Sequence, residues 1–450
     1  MKIKVYGSLG RTRSEEEDED VDVGWAWIVL FASFMTNVII LGANFAFSVF
    51  YAEWTEYFDK GPTATSLLIS MSCALVLAAG APASILANRF GARTVIMVGG
   101  VISAAGFAAS AFVTSFELLF VSYGLLTGLG NGLAFVPSFG VLPLYFRKRR
   151  NFATAIVTAG SGLGMILYSM LFEYLISTYS WRGAMLITSG IVLNVVPCGA
   201  VIFKRECRSG TAGFSQYAEF SLFKEFSFYV SMAHFFFLGS QFIYVVFCLR
   251  YAVDTLHISR ASGAFVVSSM GATNVIGRIL VALLSINPKF ATANVRFFLL
   301  HFSSLCVAVT LSCYPLCQTF TMACLVSALI GLSWGVRFSL TPGLQMDISD
   351  PKRFNAAWGY LTLVTGISFF IFPPLAGKIS KSTGDSASAF YFAGVMSFMA
   401  FLLCPLLHFL WWSKQSEPLD LEESKFLLEP SSRNSYNHTG NHGKTALYSP

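Results

Sequence analysis

Residues 24–50 read GWAWIVLFASFMTNVIILGANFAFSVF, a run of 27 positions without a charged side chain. A helix that crosses the hydrocarbon core of a bilayer needs about 20 consecutive apolar residues. This run therefore predicts a transmembrane helix. The residues before it are polar, and residues 15–22 are almost wholly acidic, so we expect no cleavable signal peptide and the run should stay in the protein.

Runs of the same kind recur along the chain and predict about twelve spans. Their extents are 25–50, 64–87, 94–112, 117–144, 151–175, 182–203, 226–250, 262–286, 294–313, 318–343, 354–376 and 387–412. These runs are longer than barrel strands need and show no alternation with a period of two, so helices are the expected spanning element. The fold class that follows is an all-α membrane protein.

The composition agrees with lipid as the main solvent. Apolar residues make up 55% of the 450 positions, charged residues only 12%, and the mean hydropathy is +0.63. A soluble protein of this length needs roughly a quarter of its residues charged. The net charge of +6 is spread over short loops and is not gathered on one face, which excludes a nucleic-acid-binding protein.

The longest polar interruption divides the predicted spans six and six. We therefore expect a cytoplasmic tail at 1–24, a first six-helix half at 25–203, a central cytoplasmic loop at 204–225, a second half at 226–412 and a disordered cytoplasmic tail at 413–450. Two halves about a central loop are typical of transporters that rock around a cavity at the midplane.

Basic residues in the loops indicate the orientation. With both termini in the cytoplasm, about fourteen lysines and arginines lie in inner loops against about six in outer loops. The acidic loop that holds Glu53, Glu56 and Asp59 then lies outside. The positive-inside rule therefore favours cytoplasmic termini.

Most of the nine cysteines fall inside apolar runs and are interpreted as small buried hydrophobic residues. Cys313 and Cys317 flank a short turn, where they could pair or stay free thiols. No cluster of metal ligands, and no nucleophile with its base, occurs near the middle of a span. The sequence thus predicts no enzyme, no cofactor and no metal.

Glycines recur on one face of the fourth span. Gly124, Gly128 and Gly132 are four residues apart and make a smooth surface against which another helix can pack closely. We expect Gly160 and Gly164 of the fifth span to face it.

The loop Asn88-Arg89-Phe90-Gly91-Ala92-Arg93 combines a reversing glycine with two arginines, and it resembles the loop signature of the major facilitator superfamily. A more specific resemblance is to the monocarboxylate transporter family. It rests on Asp22-Val23-Gly24-Trp25-Ala26-Trp27, on Tyr145-Phe146-Arg147-Lys148-Arg149-Arg150 and on Trp181-Arg182-Gly183-Ala184. Val23 and Ala26 depart from the pattern of the first motif.

This resemblance implies a major facilitator fold and transport of an organic anion or zwitterion across the plasma membrane by alternating access. A single-span ancillary membrane protein would be a possible partner beside the lipid bilayer. Arg89, Gly91, Arg93, Arg147 and Arg149 are the candidate gating residues. Topology signals and contacts with anionic lipids are the alternative for the run at 147–150.

Two arginines lie inside predicted spans, Arg278 in the eighth and Arg337 in the tenth. A charge in the bilayer is costly unless it is paired or faces water. The two side chains lie at similar depth and could face one cavity, where they would favour an anion. By resemblance Arg278 coincides with the arginine that holds the substrate carboxylate, whereas for Arg337 a salt bridge or helix-end contact is an equal alternative.

Two residues depart from the lactate-carrying members. Asn274 replaces an aspartate one turn before Arg278, and Phe45 replaces a lysine of the first span. Neither replacement titrates, so proton coupling is not expected. His234 and His301 could titrate, with hydrogen-bonded packing as the alternative.

Uncharged polar groups remain to line a cavity. Asn37 and Asn44 share one helical face, as do His234 and Gln241. Asn131 and Asn274 could join them, and hydrogen bonding between helices is the alternative for each asparagine.

The resulting hypothesis is facilitative transport of a carboxylate-bearing solute. Arg278 would bind the carboxylate, and residues of the first span would contact the remainder of the solute. Aromatic amino acids and creatine-like or carnitine-like zwitterions are candidates by resemblance. The alternatives are proton-coupled symport of short monocarboxylates and a non-transporting membrane sensor.

Overall fold

The computed structural model describes residues 22, 24–60, 62–203, 218–287, 290 and 292–416. The predicted tails at 1–24 and 413–450 therefore lie almost wholly outside the described residues. Most of the predicted central loop does too, and its last part forms a short 3-10 helix at Phe220–Lys224.

The described chain is a bundle of helices. In order they are Trp25–Ala46, Ser48–Tyr57, Pro62–Ala78, Gly80–Phe90, Ala92–Ala111, Phe116–Leu119, Gly128–Gly140, Leu142–Tyr145, Arg150–Val192, Val195–Ala200, Phe226–Leu238, Phe242–Leu256, Arg260–Leu284, Ala293–Cys313, Phe320–Ser349, Phe354–Thr383 and Ala387–Ser416. A π-helical stretch, Phe120–Thr127, lies within the fourth span, and 3-10 turns at Gly239–Gln241 and Tyr314–Leu316 belong to the seventh and ninth.

These helices form eleven continuous segments that are long and apolar enough to cross a membrane. They are Trp25–Ala46 (span one), Leu67–Phe90 (span two), Ala92–Ala111 (span three), Phe116–Tyr145 (span four), Arg150–Ala200 (spans five and six), Phe226–Leu249 (span seven), Phe265–Leu284 (span eight), Ala293–Leu316 (span nine), Phe320–Ser349 (span ten), Phe354–Thr383 (span eleven) and Ala387–Ser413 (span twelve).

The longest segment contains two crossings. It has 51 residues, about twice the length that a bilayer requires. Ser180 interrupts it with a φ of 61° and a ψ of 169°, a conformation outside the helical region. The break divides the segment into spans five and six, so the prediction of twelve spans in an all-α membrane fold is confirmed.

The face of the bundle that holds Trp25 and Trp411 is called the terminal side below. Polar contacts join the two halves there. Asn355 of span eleven donates to Asn88 of span two at 2.7 Å, and Arg150 of span five pairs with Asp347 of span ten. The halves are thus closed against each other on the terminal side.

Small residues allow spans two and eleven to touch along their backbones. A Cβ atom added at Gly80 would lie 1.9 Å from the Thr362 hydroxyl, and one added at Gly366 would lie 2.5 Å from the Ala78 nitrogen. Spans five and eight also pack closely, but there the glycine receives a side chain, because a Cβ at Gly162 would lie 2.7 Å from a methyl group of Val275.

The glycines of span four pack as predicted against another helix, since Gly128 faces Ser72 and Gly132 faces Val76 of span two. The expectation for span five is wrong. Gly160 contacts Phe34, and Gly164 lies against Gly42 of span one. Span five therefore uses its glycines to approach span one and not span four.

Candidate functional site

A cavity of about 910 Å³, including the space at its opening, lies between the two halves. Spans one, two and four line it from the first half, and spans seven, ten and eleven from the second. The lining residues are Leu41, Asn44, Phe45, Cys73, Val76, Leu77, Phe135, Phe235, Leu238, Phe242, Trp334, Arg337, Phe338, Thr341, Trp358, Thr362, Thr365 and Phe369. A site shared by both halves is where alternating access needs its ligand.

Aromatic rings form much of the wall. Eight of the eighteen lining residues are phenylalanine or tryptophan. Phe242 and Phe369 stack with their ring centroids 4.3 Å apart, and the rings of Phe235 and Trp358 meet edge to face at 5.8 Å. Such walls bind flat apolar groups, and a few polar groups then fix the orientation of the ligand.

Arg337 carries the charge of this cavity, and no aspartate or glutamate is among the lining residues described. Its side chain is 3% exposed. One terminal nitrogen, Nη2, donates to Oε1 of Gln241, while the other, Nη1, is buried without a hydrogen-bond partner. A guanidinium with an unused buried donor can bind an oxyanion that enters the cavity.

Arg278 is just as buried, with 5% exposure, but its Nε and Nη1 donors are occupied. Nε donates to Oδ1 of Asn274 at 2.8 Å, and Nη1 donates to the Thr158 carbonyl and the Ser161 hydroxyl of span five. The guanidinium also lies 4.5 Å from the ring centre of Phe338, which lines the cavity. In this conformation Arg278 fastens span eight to span five.

The two candidate asparagines of span one have different surroundings. Asn44 lines the cavity beside Phe45, donates to Ser72 at 3.2 Å and accepts from the Cys73 thiol. Asn37 donates to the Ser33 carbonyl and, at 3.0 Å, to the Ser138 hydroxyl of span four. Asn37 thus holds two helices together.

Other predicted polar residues also join helices. Asn131 accepts from the Ser103 hydroxyl at 2.6 Å, and Asn274 donates to the Gly331 carbonyl at 3.3 Å. Nδ1 of His234 lies 2.9 Å from the Ala400 carbonyl of span twelve.

His301 lies in span nine, and its ring centre is 5.6 Å from that of His408. Gln241 contacts the site indirectly, because it holds Arg337.

The predicted gating motifs lie on the terminal side. Gly91 adopts a φ of 87°, which explains the glycine at this reversal, and Arg93 lies 5.6 Å from the ring centre of Phe203. The Asp22 carboxylate accepts from the backbone N–H groups of residues 147–149. Arg149 also lies 5.7 Å from the ring centre of Trp27. The loop before span five is thereby tied to the start of span one.

Sequence reasoning missed the role of Asp347. This carboxylate, near the end of span ten, pairs with Arg150 of span five and lies 2.7 Å from Nη2 of Arg296 in span nine. The sequence does place an acidic residue and basic residues near those ends of different spans that lie on the terminal side. Their pairing becomes visible only when the helices are assembled.

Both thiols of the pair Cys313 and Cys317 are free. Among the described residues, no group of three or more histidine, cysteine, aspartate or glutamate side chains could hold a metal ion.

The family model described as Major Facilitator Superfamily matches residues 26–300 and 230–434 of this sequence. The chain belongs to the Major Facilitator Superfamily. Mouse (Mus musculus) monocarboxylate transporter 12 is 26% identical over 413 residues, covering 84% of each chain. Human (Homo sapiens) monocarboxylate transporter 14 is 25% identical, covering 84% of this chain and 89% of the relative. Chicken (Gallus gallus) monocarboxylate transporter 3 is 28% identical, covering 82% and 75%.

The resemblance to the monocarboxylate transporter family is therefore confirmed, and this superfamily member is a membrane transporter and not an enzyme.

Solved structures agree on the fold. The transporter FucP in its outward conformation superposes with a TM-score of 0.65 at 15% identity, covering 85% of this chain and 99% of FucP. The human organic anion transporter MFSD10 gives 0.65 at 14% identity, covering 84% and 99%. At these identities the likeness concerns the fold alone.

Proposed function

We propose that this transporter carries an organic carboxylate with an apolar body, without proton coupling, and that Arg337 binds the carboxylate. The observation that carries the proposal is the buried Nη1 of Arg337, which lacks a hydrogen-bond partner and belongs to the charged group of the cavity lining. The names of the relatives, which are monocarboxylate transporters, agree with a carboxylate substrate.

The chemistry of the guanidinium supports an oxyanion such as a carboxylate as the ligand. Its planar fork matches the two oxygens of a carboxylate, and charge-assisted hydrogen bonds are stronger than neutral ones. Asn44 lines the same space, and the second N–H of its side-chain amide can donate to the carboxylate. The carboxylate end of the ligand thus has a defined position.

The apolar lining supports an uncharged body for the rest of the ligand. An amino acid brings a primary ammonium group, whose N–H donors bind best to a carboxylate. The described lining contains no acidic side chain, and aromatic rings surround the remaining space. An aryl or alkyl carboxylate of more than three carbons therefore fits better than lactate.

The same lining supports transport without a proton. Phe45 is among the lining residues, and Asn274 accepts from Arg278, so neither position can take up a proton near neutral pH. Asp347 is already paired with two arginines. Proton-coupled symport of a short monocarboxylate, as a runner-up, would need a titrating group outside this set.

Arg278 has a second proposed role. Its contacts with Thr158 and Ser161 would break if span five moved away from span eight, and Arg278 would then be free to meet a carboxylate. The anchor role expected by resemblance thus applies to a conformation other than the one described, in which Arg278 joins the halves.

The cellular setting is also a proposal. We place the protein in the plasma membrane with both termini in the cytoplasm, supported by the excess of basic residues in the loops on that side. The closed terminal side would then be the cytoplasmic side. An ancillary single-span protein is proposed by analogy with the family.

Uptake into reconstituted vesicles tests the proposal. Labelled 3-phenylpropionate and labelled lactate are compared, each with and without an inward proton gradient. We expect saturable uptake of 3-phenylpropionate that the gradient does not accelerate, and its loss in Arg337→Gln. Lys352→Gln removes an exposed positive charge outside the cavity and serves as the control. Lactate uptake that rises steeply with external acid would contradict the proposal.

A further inference from the structure

Two neighbours on span two hold the side-chain amide of Asn44. Its nitrogen, Nδ2, donates to the Ser72 hydroxyl at 3.2 Å, and its oxygen, Oδ1, accepts from the Cys73 thiol, whose sulfur lies 2.9 Å away. All three side chains are buried, and Asn44 and Cys73 belong to the lining of the cavity. The amide is therefore held at both of its ends where it meets the cavity.

An amide can present either of two opposite chemistries to a ligand. Rotation by half a turn about its last side-chain bond exchanges the N–H groups, which donate, with the oxygen, which accepts. In the orientation described, the oxygen faces the Cys73 thiol and one N–H is used by Ser72, so the second N–H is the donor left for a ligand. Asn44 thus offers a donor to the cavity.

The two neighbours differ in how they act on this orientation. The hydroxyl of Ser72 both donates and accepts, so it can bond either end of the amide. The thiol of Cys73 can point its hydrogen at the amide oxygen, whereas its sulfur is a poor acceptor for the N–H that rotation would bring there. The thiol therefore favours the orientation described, and the hydroxyl does not choose.

Building on the function proposed above, we infer that Cys73 is a positioning residue that keeps the N–H side of Asn44 toward the ligand. A solute whose polar end carries only acceptors, as a simple carboxylate does, receives a hydrogen bond from this donor. An amino acid brings ammonium N–H groups beside its carboxylate, and a donor that faces a donor is left without a partner. The pair of Cys73 and Asn44 therefore selects simple carboxylates over amino acids.

Competition in reconstituted vesicles measures this selectivity. Uptake of labelled 3-phenylpropionate is inhibited with unlabelled 3-phenylpropionate or with phenylalanine, which has the same carbon skeleton and one additional ammonium group. The inhibition constant of phenylalanine divided by that of 3-phenylpropionate is the selectivity. This ratio does not depend on how much folded protein the vesicles contain.

Removing the thiol should release the amide. In Cys73→Ala the selectivity should fall roughly threefold, because the weak hydrogen bond that favours one orientation is lost. Ser72→Ala should change the selectivity much less, since the hydroxyl can bond either end of the amide. Cys324→Ala removes a free thiol of span ten outside the lining described and is the control.

A second variant acts on the amide itself. Asn44→Asp replaces the donor with another acceptor in a side chain of nearly the same shape, so the selectivity should fall further than in Cys73→Ala. A merely structural role of these residues would weaken the binding of both solutes together and leave the ratio unchanged.

The outcomes separate this role from the proposed function. Wild-type selectivity in Cys73→Ala, or an equal fall in Ser72→Ala, overturns the role of the thiol and leaves the proposed function intact. Wild-type selectivity in Asn44→Asp overturns the contact between Asn44 and the ligand, and with it the role of Cys73. Absence of saturable 3-phenylpropionate uptake in the wild-type protein counts against the proposed function itself.

Discussion

Two regions of this transporter each bury an arginine, and the two guanidinium groups differ in how many hydrogen bonds they make. The seam between spans five and eight holds Arg278 with three hydrogen bonds, to Asn274, Thr158 and Ser161. The cavity between the halves gives Arg337 one hydrogen bond, to Gln241, and leaves Nη1 unused. The exposed fractions are nearly the same, at 5% and 3%. Burial alone therefore does not distinguish the arginine that joins two helices in this conformation from the one proposed to bind the ligand, whereas the number of hydrogen bonds does.

The sharpest test exchanges each arginine for glutamine. Truncating one partner of a buried, hydrogen-bonded charge pair costs about 2–5 kcal/mol. In Arg337→Gln the ratio of maximal rate to KM for uptake of 3-phenylpropionate should therefore fall roughly 100-fold or more. Because Arg278 does not line the cavity in the conformation described, Arg278→Gln should leave the KM for binding to this conformation within a few-fold of wild type and act mainly on the maximal rate. If Arg278→Gln raised the KM more than Arg337→Gln did, the two roles would have to be exchanged.

A second test gives Arg337 the acidic partner that it lacks. Gln241→Glu should form an ion pair with the guanidinium and compete with the carboxylate, lowering uptake at neutral pH by roughly tenfold. The ion pair keeps the new carboxyl group charged, so the inhibition should persist in mild acid. Gln241→Leu keeps the site free of added negative charge and is the control. Equal uptake by the Gln241→Glu and Gln241→Leu proteins would contradict the assigned contact.

A smaller effect is expected when the seam loses one acceptor. Ser161→Ala removes one of the hydrogen bonds that Arg278 makes across the halves, worth about 1 kcal/mol or about fivefold in the closing equilibrium. Ser339 is buried beside Thr158 in this seam. A cysteine introduced at Ser339 should therefore react with a water-soluble thiol reagent about fivefold faster in Ser161→Ala, because the seam is open more often. Ser169→Ala, whose hydroxyl bonds only its own helix at Met165, should not change that rate.

The smallest effect should come from loosening the close packing of Gly162 against the Val275 side chain in the same seam. Gly162→Ala adds a Cβ atom that would lie 2.7 Å from a Val275 methyl group, so the two helices must separate slightly. We expect about a twofold change in transport rate with little change in KM, in keeping with a modest overpacking cost. Gly190→Ala, where nothing lies within 4 Å, is the matched control. A larger loss in Gly190→Ala would show that the assay reports general stability.

The fold was predictable from the sequence because the length of an apolar run can be counted without knowing which other helices it packs against. Each apolar run, such as 24–50, carries its own evidence of a membrane crossing. Even the break at Ser180 falls in the short gap between two predicted spans.

The site was less predictable because it depends on how helices rotate against each other. Arg278 and Arg337 lie at similar depth within their predicted spans. Only the assembled bundle shows that the first contacts Ser161 and the second lines the cavity. The asparagines divide in the same way, since Asn44 lines the cavity while Asn37 bonds Ser138. Phe45 was a candidate from the sequence and lies in the lining, but the other aromatic lining residues could not be picked out, because phenylalanines facing lipid and phenylalanines facing a ligand have the same hydropathy.

The contact between spans two and eleven has a mechanical consequence. Where Gly80 meets Gly359 and Gly366 meets Ala78, the two halves approach backbone to backbone, and only the small side chains of Thr362 and Ser84 pack over these glycines. Such a joint can serve as a pivot, and a rigid half that tilts about a pivot moves least beside it and most at its far end. Pairs of spin labels placed at increasing distance from Gly80 should therefore report displacements that grow in proportion to that distance, as the arm of a lever does.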